Sequence, residues 1–319
     1  MKYGEWLDKW MRLYVKPAVK DKTYRNYVDI IWLYVKPKVG EYEMNELDGV
    51  VLQQFVISLF ESGNATTGEG LAVSTILQTV SVIERSLMQA VKVGYAKMTF
   101  DGITCPRNDE KRGGEVKCFT LKEQRKMESY IFGAADVRLY GVLLTLYTGI
   151  RIGELMSLTW SDVDFQKGSL SVSKTCRDSW NNGYKKIVGT PKTVSSYRVI
   201  PIPKQILPYM RLLKRQSNGK YVISGKRNDV SVRSYQRTFE RLLKRLNIPH
   251  RSFHSLRHTF ATRAIENNID IKTLSEVMGH KSPAITLSIY AHSLAPHKKL
   301  MMNKLGKILM GGFYYVDED

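Results

Sequence analysis

Apolar residues recur three or four positions apart through the first hundred residues, the spacing of helices with one buried face. Residues that end helices separate these stretches, among them Pro37, Gly63 and Gly94. The pattern predicts four amphipathic helices, at Trp6–Tyr14, Thr23–Tyr34, Val50–Ser62 and Ser74–Val93. Four such helices can bury their apolar faces against one another, which predicts a small helical bundle.

A different pattern begins near residue 119. Thr120 and Glu123 have the spacing of a capping box, which predicts the start of a helix. Helical stretches are predicted at Val137–Tyr147, Ile152–Leu158 and from Val232 onward. Before the last of these, β-branched residues between turns predict a three-stranded antiparallel sheet of Leu170–Lys174, Lys185–Val188 and Tyr197–Ile202. The expected fold class is mostly α with a small antiparallel β-sheet: an N-terminal helical bundle followed by an α+β domain.

At 319 residues the chain exceeds one ordinary hydrophobic core, so two domains are expected. The stretch from Asn108 to Glu115 is charged, contains two glycines and lacks apolar periodicity, as an interdomain linker does. We therefore predict a helical domain at 1–107, a linker at 108–118, a second domain at 119–309 and a tail at 310–319.

The composition excludes several classes of protein. With 43% hydrophobic residues the chain is globular rather than disordered. No apolar run approaches 18 residues and no signal peptide opens the chain, which predicts a soluble, cytoplasmic protein without membrane contact. Cys105, Cys118 and Cys176 lack metal-ligand spacing, so reduced thiols and no bound metal are expected.

The net charge of +19 is concentrated in the second predicted domain. Residues 1–118 contain 16 Lys and Arg against 15 Asp and Glu, whereas residues 119–319 contain 33 against 15 and carry +18. Such a field favours a polyanion, and DNA would bind with release of its counterions. Ribosomal and membrane-surface proteins can be equally basic, so charge favours nucleic acid without settling the question.

Arg151 follows a glycine turn and precedes Glu154 by three residues. A surface ion pair is the ordinary interpretation of such a pair. A planar guanidinium can also grip two phosphate oxygens at once and keeps its proton, so arginine is a phosphate ligand that lysine replaces poorly.

His254 and Arg257 share one face of a predicted helix. His254 and His258 also have the spacing of a zinc-binding helix. However, Ser255 stands where a metalloprotease carries glutamate, and no third ligand is evident. A capping histidine beside a solvated arginine, or a phosphate-binding face, is therefore favoured over zinc.

His280 follows Gly279 and precedes Tyr290 by ten residues. A histidine after glycine is most often a turn residue, and the chain has 18 tyrosines, so the neighbouring motifs are what single out Tyr290. Tyr314 and Tyr315 are rivals by residue type, but they lie in the extreme tail. Two arginines, two histidines and a tyrosine in a basic chain can hold and attack a phosphodiester.

The predicted helix at Val232–Leu246 has an apolar face and, on the opposite side, a basic stripe. Glu240 is the only acidic residue in this helix that offsets the basic charge. A solvated face is the alternative, but the lack of offsetting acids favours contact with DNA phosphates. The stripe consists of Arg233, Arg237, Arg241, Lys244 and Arg245.

Four boxes in this order resemble the phage-integrase branch of the tyrosine recombinases, and the resemblance covers nearly the whole chain. They are Thr-Gly-Ile-Arg-Ile-Gly-Glu-Leu at 148–155, His-Ser-Leu-Arg-His at 254–258, Gly-His at 279–280 and Ile-Tyr at 289–290. The catalytic residues that the resemblance implies are Arg151, Lys192, His254, Arg257, His280 and Tyr290, with Glu154 in support.

The resemblance also implies roles. Tyr290 would be the nucleophile of a 3′-phosphotyrosine intermediate, and Arg151 and Arg257 would clamp the phosphate. Residues 190–202 resemble the family's β-hairpin, whose lysine, here Lys192, reaches the leaving oxygen. The neighbouring lysines remain alternatives or simple phosphate contacts, namely Lys174, Lys185 and Lys186.

The resemblance implies different roles for the histidines. By resemblance, His254 is a hydrogen-bond donor or proton-transfer group, and His280 donates to the scissile phosphate and packs the nucleophile's helix. His258 is expected to be structural. Glu154 would orient Arg151.

The resemblance makes the first domain a SAM-like core-binding domain that clamps duplex DNA. It implies a homotetramer on two duplexes, with DNA-bending or excision factors as further candidate partners, and no cofactor, because strand exchange conserves bond energy without ATP. Many mobile-element integrases carry an arm-binding domain before the bundle. Here the bundle begins almost at Met1, so that domain is expected to be missing, naturally or by truncation.

Three functions remain open. The favoured one is a site-specific recombinase that integrates and excises a mobile element. A type IB-like topoisomerase and a non-catalytic DNA-binding protein of the same fold are the alternatives. The complete residue set argues against the last, and the bundle with the Gly-His box favours the first.

Overall fold

The computed structural model divides the chain into two compact units, Met1–Arg112 and Gly113–Asp319. The structure describes residues 1–64, 67–96, 103–106, 117–134, 136–179, 184–191, 194–217, 219–224, 230–290 and 295–309. The predicted linker from Asn108 to Glu115 lies outside the described residues.

The first unit is helical, as predicted. Its helices are α1 (Tyr3–Trp10), α2 (Lys16–Ala18), α3 (Asp21–Ile30), α4 (Lys36–Val39), α5 (Gly49–Ser62) and α6 (Val73–Lys92). One apolar core joins them, with Trp6, Leu59 and Ile76 fully buried. Buried polar groups are satisfied, since the Trp6 indole donates to the carbonyl of Ser86 and the Tyr3 hydroxyl bonds the Ser86 hydroxyl.

The prediction that the second helix stops before Pro37 is wrong. The motif Leu-Tyr-Val-Lys-Pro-x-Val occurs twice, at 13–19 and 33–39, and a π-helical turn precedes each proline, at Met11–Val15 and Ile31–Val35. The N–H of Lys36 bonds the carbonyl of Ile31, five residues back. Widening the turn accommodates a proline that lacks an N–H, so the helical path continues to Val39.

The second unit contains nine helices within the described ranges. They are α7 (Leu121–Ala134), α8 (Tyr140–Thr148), α9 (Ile152–Leu155), α10 (Leu207–Gln216), α11 (Val232–Arg245), α12 (His254–Glu266), α13 (Ile271–Met278), α14 (Pro283–Tyr290) and α15 (Ala295–Leu309). The predicted capping box forms, because Thr120 and Glu123 exchange backbone-to-side-chain hydrogen bonds of 2.8 and 3.2 Å. The helix predicted at Ile152–Leu158 is shorter than expected.

The prediction of one three-stranded sheet is wrong in its pairing. The strands are β1 (Val163–Asp164), β2 (Ser169–Val172), β3 (Thr175–Ser179), β4 (Lys185–Gly189) and β5 (Arg198–Pro201). One antiparallel sheet has the order β1-β2-β5, while β3 and β4 form a separate hairpin. Leu170 and Ile200 face each other across β2 and β5 and are both buried, whereas β4 is mostly exposed. The sheet packs into the core, and the hairpin contributes one buried residue to it, Cys176 on β3.

Arg257 on α12 lies beside the turn that ends α8, since it donates to the carbonyl of Gly149. Helix α8 is almost wholly buried, and both helices contribute to the second unit's core, which includes Leu144 and Leu256. Within the described ranges, no helix is both long and apolar enough to cross a membrane.

Candidate active site

Arg151 is placed by the turn that ends α8. Gly149 has a left-handed backbone, with φ +64°, and a Cβ there would lie 2.5 Å from the Phe260 ring. Both facts require glycine at this position. The chain then enters α9 with Arg151 as its N-terminal cap residue, and the Glu154 carboxylate accepts the Arg151 backbone N–H at 3.0 Å.

Arg257 comes from α12 and is 2% exposed. Its Nη1 donates to the carbonyl of Gly149 and its Nη2 to the carbonyl of Met278, both at 2.6 Å. A buried guanidinium needs such acceptors, because leaving its donors unpaired would be costly. Arg257 therefore ties the turn after α8 to the end of α13.

The C-terminus of α13 receives three arginines. The successive carbonyls of residues 277, 278 and 279 accept hydrogen bonds from Arg198 Nε, Arg257 Nη2 and Arg151 Nη2, at 2.6, 2.6 and 2.9 Å respectively. Helix C-termini leave carbonyls without intrahelical partners and carry partial negative charge. This end of α13 thus orients both predicted phosphate clamps together.

Arg198 is the residue of this network that sequence reasoning missed. Its side chain is 6% exposed and forms two hydrogen bonds with Glu154, at 2.8 and 3.2 Å. Glu154 also accepts Arg151 Nη1 at 2.9 Å. Burial alone would raise the pKa of Glu154, but the hydrogen bond and charge of Arg198, followed by Arg151, outweigh it and lower that pKa. An arginine inside an otherwise apolar strand was the available signal.

Tyr290 is at the end of α14 and is 1% exposed. Its hydroxyl lies 2.7 Å from Nδ1 of His258. The ring of His258 in turn packs edge-on against His254, with centroids 4.5 Å apart. The interpretation of His258 as merely structural therefore misses a direct contact with the candidate nucleophile.

His280 follows α13, whose C-cap Gly279 has φ +62°. Its Nδ1 lies 2.8 Å from the hydroxyl of Thr286, on α14. Thr286 is fully buried, so this hydrogen bond connects the Gly-His box to the helix of Tyr290.

The site is electropositive and its histidines are neutral. Burial, followed by the charges of Arg257, Arg151 and Arg198, lowers the pKa of His280 to about 4. Burial and then the neighbouring His258 and arginines lower the pKa of His254 to about 4 as well. Burial and then Arg151 lower the pKa of Arg257 to about 9, so it stays charged at neutral pH. Burial is the largest cause of each of these shifts, and the gathered positive charges add to it. A bound phosphate would favour the charged forms.

The remaining candidates are Lys192 and the basic residues of α11. Lys192 lies outside the described residues. The five basic residues predicted on α11 are all exposed on that helix, namely Arg233, Arg237, Arg241, Lys244 and Arg245. The structure adds a restraint that the sequence did not predict: Asp178 on β3 accepts the backbone N–H groups of Val232 and Arg233, at 3.0 and 2.9 Å. This carboxylate fixes the hairpin to the start of α11.

Comparison with known families identifies both parts of the chain. The phage integrase family matches residues 121–297, and the phage integrase N-terminal SAM-like domain matches residues 2–60. The "Tyrosine recombinase XerC-like" protein of Caldanaerobacter subterraneus subsp. tengcongensis is 28% identical, over 96% of this chain and 82% of that protein. The transposase from transposon Tn916 of Enterococcus faecalis is 25% identical, over 92% and 75% respectively.

Solved structures share the fold. The Tn1549 transposon integrase in complex with transposon right end DNA matches with a TM-score of 0.79 and 21% identity, covering 96% of this chain and 100% of that one. A lambda integrase tetramer bound to a Holliday junction matches with a TM-score of 0.67 and 20% identity, covering 89% and 78%. The predicted fold class is confirmed.

A helical domain followed by a catalytic domain with this arginine-rich site defines a tyrosine recombinase, an enzyme that cleaves and rejoins DNA. The chain belongs to the phage integrase family, whose model matches more than half of its length.

Proposed function

We propose that the protein is a site-specific recombinase that integrates and excises a mobile element through a covalent link between DNA and Tyr290. The observation that carries the assignment of the site is geometric. Arg151 and Arg257 donate to the successive carbonyls of residues 279 and 278, and the Tyr290 hydroxyl contacts His258, the residue that follows Arg257 on α12. The transposon relatives support the choice of a mobile element.

In the proposed reaction, the Tyr290 oxygen attacks the phosphorus and the 5′ oxygen leaves, which gives a 3′-phosphotyrosine and a free 5′-hydroxyl. Phosphoryl transfer depends mainly on positioning and on stabilising charge in the transition state. Arg151 and Arg257 supply that charge, and the neutral His254 and His280 can each donate one hydrogen bond to the phosphate. The 5′-hydroxyl of a second strand then attacks and releases Tyr290.

Lys192 is proposed as the acid that protonates the leaving 5′ oxygen. The residue precedes β5, whose Arg198 is anchored to the site through Glu154. An alkoxide leaves poorly without a proton donor, so a cation at this position would accelerate cleavage.

The proposed partners are core recombination sites in double-stranded DNA and further copies of the chain, with accessory DNA-bending or excision factors as additional candidates. The basic face of α11 is proposed to contact backbone phosphates. A homotetramer on two duplexes is proposed by analogy with the lambda integrase tetramer. We also propose a division of the chain into a helical domain, a linker, a catalytic domain and a tail, at residues 1–107, 108–118, 119–309 and 310–319.

The nucleophile is tested with a duplex that joins the two boundary sequences of the element carrying the gene, called the junction duplex below. Tyr290→Phe removes only the attacking oxygen, so it should bind this duplex and form no SDS-stable adduct. An adduct with Tyr290→Phe would contradict the assignment. A second experiment incubates the protein with supercoiled plasmid, with and without the matched sites. Relaxed plasmid without recombinants, whether or not the sites are present, would favour the topoisomerase. The absence of both relaxed and recombinant plasmid would favour a non-catalytic DNA-binding protein.

The acid is tested with a 5′-bridging sulfur at the scissile phosphate. A thiolate leaves readily without protonation, so Lys192→Ala should cleave this substrate at a rate close to that of the unaltered protein. Arg257→Ala lacks a phosphate clamp and should recover much less. Equal recovery of both variants, or of neither, would transfer the role to His254 or to a hairpin lysine.

A further inference from the structure

The hydroxyl of Tyr290 has one hydrogen-bond partner within the described chain, Nδ1 of His258. The distance is 2.7 Å, and the two rings meet at 60° with centroids 5.7 Å apart. Because Tyr290 is 1% exposed, its hydroxyl faces this imidazole rather than bulk water. The contact joins α12 to α14 across 32 positions of sequence.

The other two histidines of the site are placed differently. Nδ1 of His280 is 2.8 Å from the hydroxyl of Thr286. His254 packs its ring against His258 instead. Of the three, His258 is therefore the one that touches the oxygen that must attack.

We propose that His258 is the general base of the reaction, accepting the Tyr290 proton on Nδ1 as the phenol oxygen bonds to phosphorus. This inference rests on the proposed recombinase function. As the O–P bond forms, the O–H bond breaks and its electron pair stays on oxygen, while the P–O5′ bond breaks and the 5′ oxygen takes a proton from its own acid. In the reverse step, the imidazolium returns its proton to the departing Tyr290 oxygen.

The protonation states fit this direction of transfer. Burial and then Arg257 lower the pKa of His258, so its ring is neutral and can accept at Nδ1 when its proton is on Nε2. Burial raises the pKa of Tyr290, while Arg257 opposes that rise and Cys118, in the segment before α7, adds to it. His254 also faces the ring. Both groups are therefore neutral at pH 7 in the free protein.

DNA would change this balance at the moment of reaction. A phosphodiester anion beside His258 stabilises the imidazolium, and bond formation to phosphorus removes the need for a free phenolate. Transfer coupled to attack thus avoids creating a buried negative charge on an isolated Tyr290.

The first test compares single-turnover cleavage of the junction duplex by the unaltered protein, His258→Ala and His258→Gln. Loss of a general base costs roughly a hundredfold to ten-thousandfold in rate, with little change in DNA affinity. Gln can accept the hydroxyl hydrogen bond but cannot take the proton, so His258→Gln should be slow as well. Added imidazole should accelerate His258→Ala, an effect that a purely structural residue would not show.

The second test makes the phenol more acidic by placing fluorinated tyrosine at position 290. A weaker base then suffices to remove the proton. The cleavage rate of His258→Gln should therefore fall less far below that of the protein with His258 when both carry fluorinated tyrosine. If His258 only held Tyr290 in a resting position, removing it would leave cleavage unchanged or faster, and neither imidazole nor fluorination would matter. That result would overturn the inference while leaving the proposed function intact. No adduct with the unaltered protein would instead contradict the proposed function, and this inference with it.

Discussion

At the scale of single residues, the site depends on charges that are buried only because they are paired. Glu154 is 4% exposed and lies between Arg151 and Arg198. Removing Arg198 leaves the buried Glu154 carboxylate with Arg151 alone, whose side chain is 34% exposed. Breaking a buried ion pair by removing one partner costs more than the pair contributes to stability. Arg198 is therefore expected to matter for folding and for the orientation of Arg151.

Replacing Arg198 with methionine should lower the free energy of unfolding by up to about 3–5 kcal/mol, the cost of removing one partner of a buried ion pair, because Glu154 keeps only Arg151. Urea unfolding of the purified protein measures this. The control is Arg198→Met combined with Glu154→Gln, which also removes the carboxylate and should be less destabilised than the sum of the two single variants. Additive losses would show that the two side chains are not energetically coupled.

Sequence reasoning found Arg151, Arg257 and Tyr290 as candidates because motif spacing marks them. It missed the roles of Arg198 and His258 because each depends on one partner distant in sequence, 44 positions away for Glu154–Arg198 and 32 for His258–Tyr290. Such pairing is a property of the packed helices and strands, and the local sequence does not identify the partner: an arginine in an apolar strand marks Arg198 as unusual without indicating Glu154.

The neutral histidines predict a loss of stability in mild acid. His254 and His280 have pKa values near 4 in the folded protein, below the ordinary 6.5. Below pH 6.5 the unfolded chain binds protons that the folded site does not, so stability should fall as the pH decreases from about 6.5 towards 4. The midpoint of urea unfolding, measured at pH 7 and at pH 5, tests this loss of stability. Both pH values lie above the ordinary pKa of carboxylates, so the histidines dominate the difference. His280→Gln should reduce the difference, and an unchanged difference would contradict the assignment.

At the scale of elements, the end of α13 organises the site. Its last carbonyls hold three arginines, and the chain can turn into the Gly-His box because Gly279 adopts φ +62°. A Cβ at this position would lie 2.9 Å from Nη1 of Arg198. Glycine is thus needed for backbone conformation and for the close approach of a guanidinium.

Gly279→Ala should therefore destabilise the protein by at least about 1 kcal/mol, the strain of a left-handed alanine, and should slow cleavage by displacing Arg198. The matched control is Gly133→Ala in α7, where a Cβ meets nothing within 4 Å. Alanine is the better helix former there and should stabilise by up to about 1 kcal/mol. Urea unfolding of both variants gives the comparison, and equal effects would contradict the strain argument.

The helices were predictable from sequence to within a few residues in most cases, because one-faced burial gives them a strong period. The sheet pairing was not. Lys185–Val188 was recognised as a strand, but its partner could not be identified, since β4 is largely exposed and lacks the alternation that fixes register. The continuation of the helical path through Pro37 also escaped prediction, because local rules treat proline as a helix end.

At the scale of the whole molecule, the +18 of residues 119–319 should make DNA affinity strongly dependent on salt. Arg237→Gln on α11 should weaken binding and reduce the log–log slope by about 1, as expected for one lost phosphate contact. Glu240→Gln removes the only acid of that helix and should have the opposite effect on affinity. Filter binding on the junction duplex across a salt series measures both. A slope near zero would remove the electrostatic basis of the proposal.

The last helix offers a route to assembly. In α15, Met302, Leu305, Ile308 and Leu309 are 65%, 45%, 67% and 74% exposed. Apolar side chains at this spacing form a face that a neighbouring copy can cover, whereas a face used within its own unit would be buried.

Ile308→Glu should therefore impair synapsis of two duplexes more than binding to one. Burying one such side chain is worth about 1.5–3 kcal/mol, so the protein concentration needed for a two-duplex complex should rise by roughly tenfold or more. Asn303→Glu adds the same charge to the same helix at an exposed polar position and is the matched control. Native gels with one labelled duplex, and with two duplexes of different length, separate the steps. If both variants assemble equally well, α15 does not bridge the copies; if Ile308→Glu fails already on a single duplex, the helix instead supports its own domain.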